Sequence, residues 1–311
     1  MAKNSKYDIH NDFNFNMAIM VTPLTIWLGA VLPGMTNWMM PGDKGLSCRK
    51  DKIKCSNGII IPMEIAEPEG VSSPAPCILY FHGGAFIIGA SARNKSIVYG
   101  LAKKVPCKVI AVDYRLAGKH PFPAGVEDCY AALEWVDQNA EKLGIDKQKI
   151  AVYGESAGGA LAAAVAQMAR DRKGPQICFQ MLIYPVTDCS GTTESARIFT
   201  DTPVWRSDSN SKMWKAYLRN SEKPYSPYAS PLCADSLAGL PPAYVETAEF
   251  DPLRDEGMLY ANRIKAEKGD VTLVQTRRTV HGFDMFAKNE IVQESFRIRV
   301  EALKKYLLSQ A

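Results

Sequence analysis

The sequence predicts an α/β protein, a mainly parallel sheet covered by helices on both faces. Three observations carry that expectation. Short apolar runs suited to buried strands alternate with stretches of helical spacing over most of the chain. A G-x-S-x-G stretch, Gly154-Glu155-Ser156-Ala157-Gly158, lies between the apolar run 150–153 and the Ala-rich run 160–170. A glycine-rich turn, His82-Gly83-Gly84-Ala85-Phe86, ends the apolar run 77–81.

Composition sets the bounds. At 311 residues, 47% hydrophobic and 23% charged, the chain is long enough for one large α/β domain with a small appendage. A net charge of +4 is mild, and no basic block is interleaved with aromatics, so nucleic acid is excluded as a partner. The densest basic cluster, Arg49, Lys50, Lys52 and Lys54, reads as a solvated strand edge. Eight cysteines show no C-x-x-C and no Cys/His cluster. No metal site is expected, and reduced thiols in a cytoplasmic protein are the default.

Residues 1–41 carry the largely apolar stretch MAIMVTPLTIWLGAVL. It is short for a membrane span, and no small-x-small cleavage site follows it. The reading adopted is a helical segment packed over the rest of the protein; the alternative is a membrane-associated or exported chain. Strands begin near residue 52, with Asn57-Gly58 suited to a tight hairpin turn. Further strands are expected at 77–81, 108–112, 150–153, 177–184, 243–248 and 271–276. Helices are expected at 126–140, 255–268 and 291–308. The alternation is broken by a polar, aromatic-rich insertion, about 187–225, with helical spacing at 207–219. The domain reading is an N-terminal segment 1–51 and a catalytic domain 52–311 that includes the insertion.

The chemistry follows from the corner at Ser156. A sharp strand-to-helix turn holds the central side chain out, and small flanking residues let strand and helix approach closely. The bland alternative is a turn serine capping an ordinary helix. Backbone N–H groups of the glycine-rich turn, with that of Ala157, suit an oxyanion. A serine nucleophile needs a base, and His281, in a loop after the last strand, is the candidate. His10 and His120 read as structural, and His82 as packing its own loop. The orienting carboxylate is expected just after strand 243–248: Asp251 first, with Glu249 and Asp255 as alternatives. The order serine, acid, histidine is that of one particular hydrolase architecture.

Together HGGAF, DYRLAGKHPFPAGVEDC, GESAGG, YASPL, DPLRDEG and HGF make the chain from 52 to 311 resemble the hormone-sensitive-lipase-like branch of the α/β-hydrolases. The resemblance implies an α/β-hydrolase fold and a triad of Ser156, Asp251 and His281. It also implies an oxyanion hole from the N–H groups of Gly83, Gly84 and Ala157. The N-terminal segment and the insertion would form a helical cap over the acyl pocket. Phe13, Phe15, Trp27 and Trp38 are expected to meet Trp205, Trp214 and Tyr217 there, the last three as substrate-binding residues. The implied activity is a serine carboxylesterase working through an acyl-enzyme on short acyl chains, about two to six carbons, with no metal or organic cofactor. The partner is a small acyl ester; no membrane is expected, and a homodimer is left open. The alternatives are a sugar deacetylase or amidase with the same triad, or a non-catalytic binding protein on a hydrolase scaffold. Three departures stand out: Ala85 where relatives carry a third glycine, Ala117-Gly118-Lys119-His120 in place of Ala-Pro-Glu-His, and Glu155 where Asp is common.

Overall fold

A computed structural model of the chain describes residues 6–31, 45–55, 57–286 and 288–309. Among the described residues the N-terminal segment holds one short helix, α1 (Pro23–Val31). Pro23 opens it at the first helical position, where a missing N–H costs nothing. The sheet then begins with a hairpin, β1 (Leu46–Lys54) and β2 (Ile60–Pro68), closed at Asn57-Gly58 with Gly58 at φ +81°. The boundary read at residue 52 therefore falls inside β1: Leu46 pairs with Pro68 and Lys50 with Glu64, so the sheet starts earlier.

From there strand and helix alternate. In order come β3 (Ala75–Phe81), α2 (Ala92–Lys104), β4 (Lys108–Val112), α3 (Ala124–Gln138) and the short α4 (Ala140–Leu143). Then follow β5 (Ile145–Glu155), α5 (Ala157–Asp171), β6 (Phe179–Ile183), α6 (Glu194–Ile198) and α7 (Ser207–Tyr217). The chain closes with β7 (Ala243–Phe250), α8 (Arg254–Ala266), β8 (Val271–Val280) and α9 (Glu290–Leu307). Among the described residues the strands form one eight-stranded sheet, ordered β1-β2-β4-β3-β5-β6-β7-β8. The first two pairings are antiparallel and the remaining five parallel.

Burial follows the topology. Strands β3, β4 and β6 are buried almost throughout, as expected where helices cover both faces. One apolar layer packs α3, α5 and α8 on one face, and a second packs α2 and α9 on the other. Helix α5 is buried from Ala157 to Ala169, so its alanines are what lets it lie close against the sheet. The C-terminal ends of β3, β5, β7 and β8 converge on one edge, where open α/β sheets place their sites.

The N-terminal segment crosses to the insertion between β6 and β7. Ala18 bridges Val204 in parallel, with Ile19 N–H to Val204 O at 2.7 Å and Val204 N–H to Met17 O at 2.8 Å. The expected meeting of aromatics is not what joins them. Phe13 packs edge-on against Phe283 and Phe286, Phe15 packs against Phe286, and Trp27 is exposed. Those rings fill the apolar loop after β8 because residues 6–16 run back over it. Trp38 and the end of the segment at Pro41 lie outside the described residues. Among the described residues no helix is long and apolar enough to cross a membrane.

Candidate active site

Strand β5 ends at Glu155 and α5 starts at Ala157, so the corner is the single residue Ser156, at φ 56°, ψ −121°. A non-glycine residue there is strained and persists only where the surroundings over-determine it. The surroundings do so. A Cβ on Gly154 would lie 2.0 Å from the Gly158 carbonyl oxygen, and one on Gly158 2.0 Å from that of Phe81. Ser156 N–H is held by Ile183 O at 2.9 Å, which ties the corner to β6.

The Ser156 side chain meets the histidine at once. Its Oγ is 2.9 Å from His281 Nε2, and His281 Nδ1 is 2.7 Å from Asp251 Oδ2. Asp251 is fully buried, and its other oxygen accepts the Leu253 N–H at 2.9 Å. A carboxylate on Nδ1 fixes the proton there, which leaves Nε2 as acceptor for the serine hydroxyl. The two alternative acids are engaged elsewhere. Asp255 accepts the Ser195 N–H at 2.7 Å and pairs with Arg254, while Glu249 pairs with Arg277 and accepts the Arg278 N–H.

The glycine-rich loop differs from expectation in one donor. Gly83 N–H points at Glu155 Oε1, 3.0 Å away, so it is already spent inside the protein. The next two N–H groups, of Gly84 and Ala85, make no hydrogen bond within the protein among the described residues, nor does that of Ala157. Gly84 sits at φ +120° and Ala85 at φ 55°, and the Gly84 carbonyl accepts from Ile87 and Ile88 at 2.9 and 2.8 Å. This tight turn sets Gly84 and Ala85 on the cavity that Ser156 also lines. The loop-side donors available to an oxyanion are thus Gly84 and Ala85, one residue further along than the sequence suggested.

Glu155 holds that turn in place. Its Oε1 accepts from Tyr80 Oη at 2.6 Å, Asn94 Nδ2 at 2.8 Å and the Gly83 N–H. Burial pushes its carboxyl up to about 7, against the opposing pull of the Tyr80 and Gly83 hydrogen bonds. His82 is buried and stacked on Tyr114 at 4.3 Å between centroids, with Nδ1 on Gly83 O at 2.7 Å. Burial lowers it to about 4, so it is neutral and structural at ordinary pH. His10 contacts Asn289, and His120 lies half-buried in the loop before α3.

A cavity of about 200 Å³ opens over Ser156 and His281. Gly84, Ala85 and Tyr184 line its sheet side; Ile19, Val204, Trp205 and Met285 line the other. Of the three insertion aromatics, Trp205 alone is a wall of this cavity. Tyr217 stacks on Phe86 at 3.9 Å and Trp214 packs beside both, so these two buttress the glycine-rich loop from behind. Helical spacing put them on one face of α7 but could not say that Phe86 would occupy that face.

One group escaped the sequence reading. Tyr184, at φ 35°, sets its ring edge-on to His281 at 4.7 Å and donates to Asp284 Oδ1 at 2.7 Å. Asp284 also pairs with the fully buried Arg299, which pairs with Glu246. An arginine on the buried face of the amphipathic α9 was the available signal, since buried cations need partners.

Known proteins share this fold. A family model described as the alpha/beta hydrolase fold matches residues 78–285. Carboxylesterase NlhH of Mycobacterium tuberculosis is 39% identical over 231 residues, 73% of this chain and 72% of that protein. An arylesterase of Saccharolobus solfataricus is 41% identical over 214 residues, 66% of this chain and 67% of its own length. The solved structure of a bacterial heroin esterase superposes with a TM-score of 0.86 at 34% identity, covering 94% of this chain and 95% of that one. On fold, motif order and these relatives, the chain belongs to the α/β-hydrolase family, in its hormone-sensitive-lipase-like branch.

Proposed function

We propose that the protein is a serine carboxylesterase that cleaves short-chain acyl esters through an acyl-enzyme on Ser156. The observation that carries this is the unbroken relay Asp251–His281–Ser156 at a cavity also lined by Gly84 and Ala85, whose N–H groups are unspent among the described residues. His281 Nε2 takes the serine proton as Oγ attacks the ester carbonyl. The oxyanion is held by the N–H groups of Gly84, Ala85 and Ala157, the last at the N-terminus of α5 where the helix dipole adds to it. His281 then protonates the leaving alkoxide and activates a water against the acyl-enzyme. Asp251 keeps the imidazole in the working tautomer and stabilises the imidazolium.

The N-terminal segment and the insertion 187–225 act as a cap that limits the acyl chain. Support comes from Ile19, Val204 and Trp205, which close the cavity from those two pieces, and from its modest volume. Hydrolysis of p-nitrophenyl esters from acetate to decanoate tests both parts. Activity should peak within about two to six acyl carbons and vanish in Ser156→Ala. Turnover surviving in that variant sinks the mechanism; a preference for decanoate sinks the cap reading alone.

A further inference from the structure

The insertion leaves the sheet after β6 and returns before β7, and its two roots are laced together away from the esterase site. Leu232 N–H donates to Thr187 O at 2.9 Å, Ser230 Oγ donates to the same carbonyl at 3.1 Å, and Cys189 N–H donates to Ser230 Oγ at 3.0 Å. This lacing sets Cys189 beside Cys233, whose Sγ is 3.3 Å from Ser230 Oγ. The two sulfurs and a carboxylate oxygen of Asp188 lie within 4.8 Å of one another. Both Asp188 oxygens accept from Ser190, its N–H and its hydroxyl, so the carboxylate is taken up by its own turn. What remains unengaged in covalent chemistry is a pair of thiols, one exposed and one half-buried.

We propose that Cys189 and Cys233 form a dithiol site that closes to a disulfide when it meets a small disulfide such as oxidised glutathione. Exposed Cys233 attacks first: its thiolate displaces one glutathione thiolate and leaves a mixed disulfide. Cys189 then attacks the Cys233 sulfur and expels the second glutathione. The two cysteine protons end on the two glutathione thiols; the pair loses two electrons and one oxidised glutathione gains them. Exposure assigns the opening attack to Cys233, and burial, which pushes the Cys189 thiol up to about 11, makes the second step the slow one. Of the other described cysteines, Cys77, Cys107 and Cys129 are buried, whereas exposed Cys48 and half-buried Cys55 and Cys178 are open to a glutathione mixed disulfide of their own.

The bond would close a loop that contains α6, α7 and two cavity walls, Val204 and Trp205. A staple across a loop of that length constrains the unfolded chain and holds the cap to its roots. The site is independent of the chemistry at Ser156.

The test uses the full chain, incubated with oxidised glutathione, denatured, alkylated and peptide-mapped. The expected result is loss of the Cys189 and Cys233 thiols in one linked peptide that joins them, reversed by dithiothreitol. Fragmentation must separate Cys189 from Cys178, which lie between the same pair of tryptic sites. Thermal midpoint should rise by about 5 °C on oxidation. In Cys189→Ser the reaction should halt at the glutathione mixed disulfide on Cys233. The proposal is overturned if the wild-type protein also halts there, if the linked peptide joins other cysteines, or if no thiol is lost. A linked peptide with an unmoved thermal midpoint overturns the staple.

Discussion

The two walls of the cavity are built on different principles. On the sheet side each reactive group has a partner fixed by a short hydrogen bond or an impossible alternative: Ser156 by the Gly154 and Gly158 contacts, Asp251 by Leu253, the glycine-rich loop by Glu155. Strained dihedrals cluster there, at Ala85, Phe86, Ser156 and Tyr184. On the cap side Val204 is held by two backbone hydrogen bonds, one with Ile19 and one with Met17, and itself sits at a strained φ of 64°. The sheet side is over-determined and sets chemistry. The cap side is lightly held and sets shape. Substitutions in the two walls should therefore fail differently: one in kcat, the other in which ester is preferred.

The largest effect should come from the relay itself. Ser156→Ala and His281→Ala should each lower kcat about 10⁴-fold or more while circular dichroism and thermal midpoint stay near wild type. Asp251→Asn should fall in the same range, because it permits the wrong imidazole tautomer. Equal damage from Asp255→Asn would shift the acid to another residue and undo the assignment.

Next comes Gly84→Ala. An added Cβ would lie 2.4 Å from Ile88 O at a φ of +120°, so the loop must move. Displacing oxyanion donors should cost about 10²-fold in kcat with KM little altered. A rise in KM at constant kcat would mean that the loop only binds substrate.

On the opposite wall, Trp205→Ala should change the ratio of decanoate to butyrate hydrolysis about tenfold, with turnover of p-nitrophenyl acetate within about threefold of wild type. If acetate turnover collapsed as well, the cap wall would not be separable from the chemistry, and the contrast between the walls would fail.

The smallest effect is on stability alone. Burial lifts the folded-state Glu155 carboxyl to about 7, above its ordinary 4.5. A raised folded value favours the protonated form on folding, so this contribution is full below about pH 4.5 and is lost as pH rises toward 7. His82 works in the opposite sense: its value is lowered to about 4, and stability is lost as pH falls from about 6.5 to 4. Because His82 is common to both proteins, Glu155→Gln isolates the first effect. Its thermal midpoint relative to wild type should climb by about 5 °C between pH 4.5 and 7. A pH-independent difference would show that Glu155 stays charged throughout.

The same contrast explains what was legible in the sequence. Ser156 and its helix could be read because the corner is contiguous: five residues fix both the turn and the side chain. Strand β4 was read at 108–112 as a continuous apolar run buried on both faces, and helix α9 to within a residue at each end, since burial on one face leaves a clear helical period. Asp251 was first of three acids; only the geometry relieves Glu249 and Asp255 by giving each another partner. The identity of the free loop donors was not legible, because Gly83 is disqualified by a carboxylate 72 residues away. Nor was the fate of Trp214 and Tyr217, which turns on Phe86 in a different motif. Local rules read out local structure, and the cap is assembled almost entirely from distant pairs.

That distance has a consequence for how the chain is made. Ile19 is tied to residues of the insertion that follow it by as much as 190 positions, as in the Ser209 Oγ to Ile19 O hydrogen bond. A ribosome adding ~5–20 residues per second leaves the segment around Ile19 and the buried Val21 waiting roughly 10–40 s for that counterpart to emerge. During that interval its apolar side chains are a sticky surface on the nascent chain. Yield in a cell should accordingly depend on holdase chaperones at the tunnel exit more than on the stability of the finished fold.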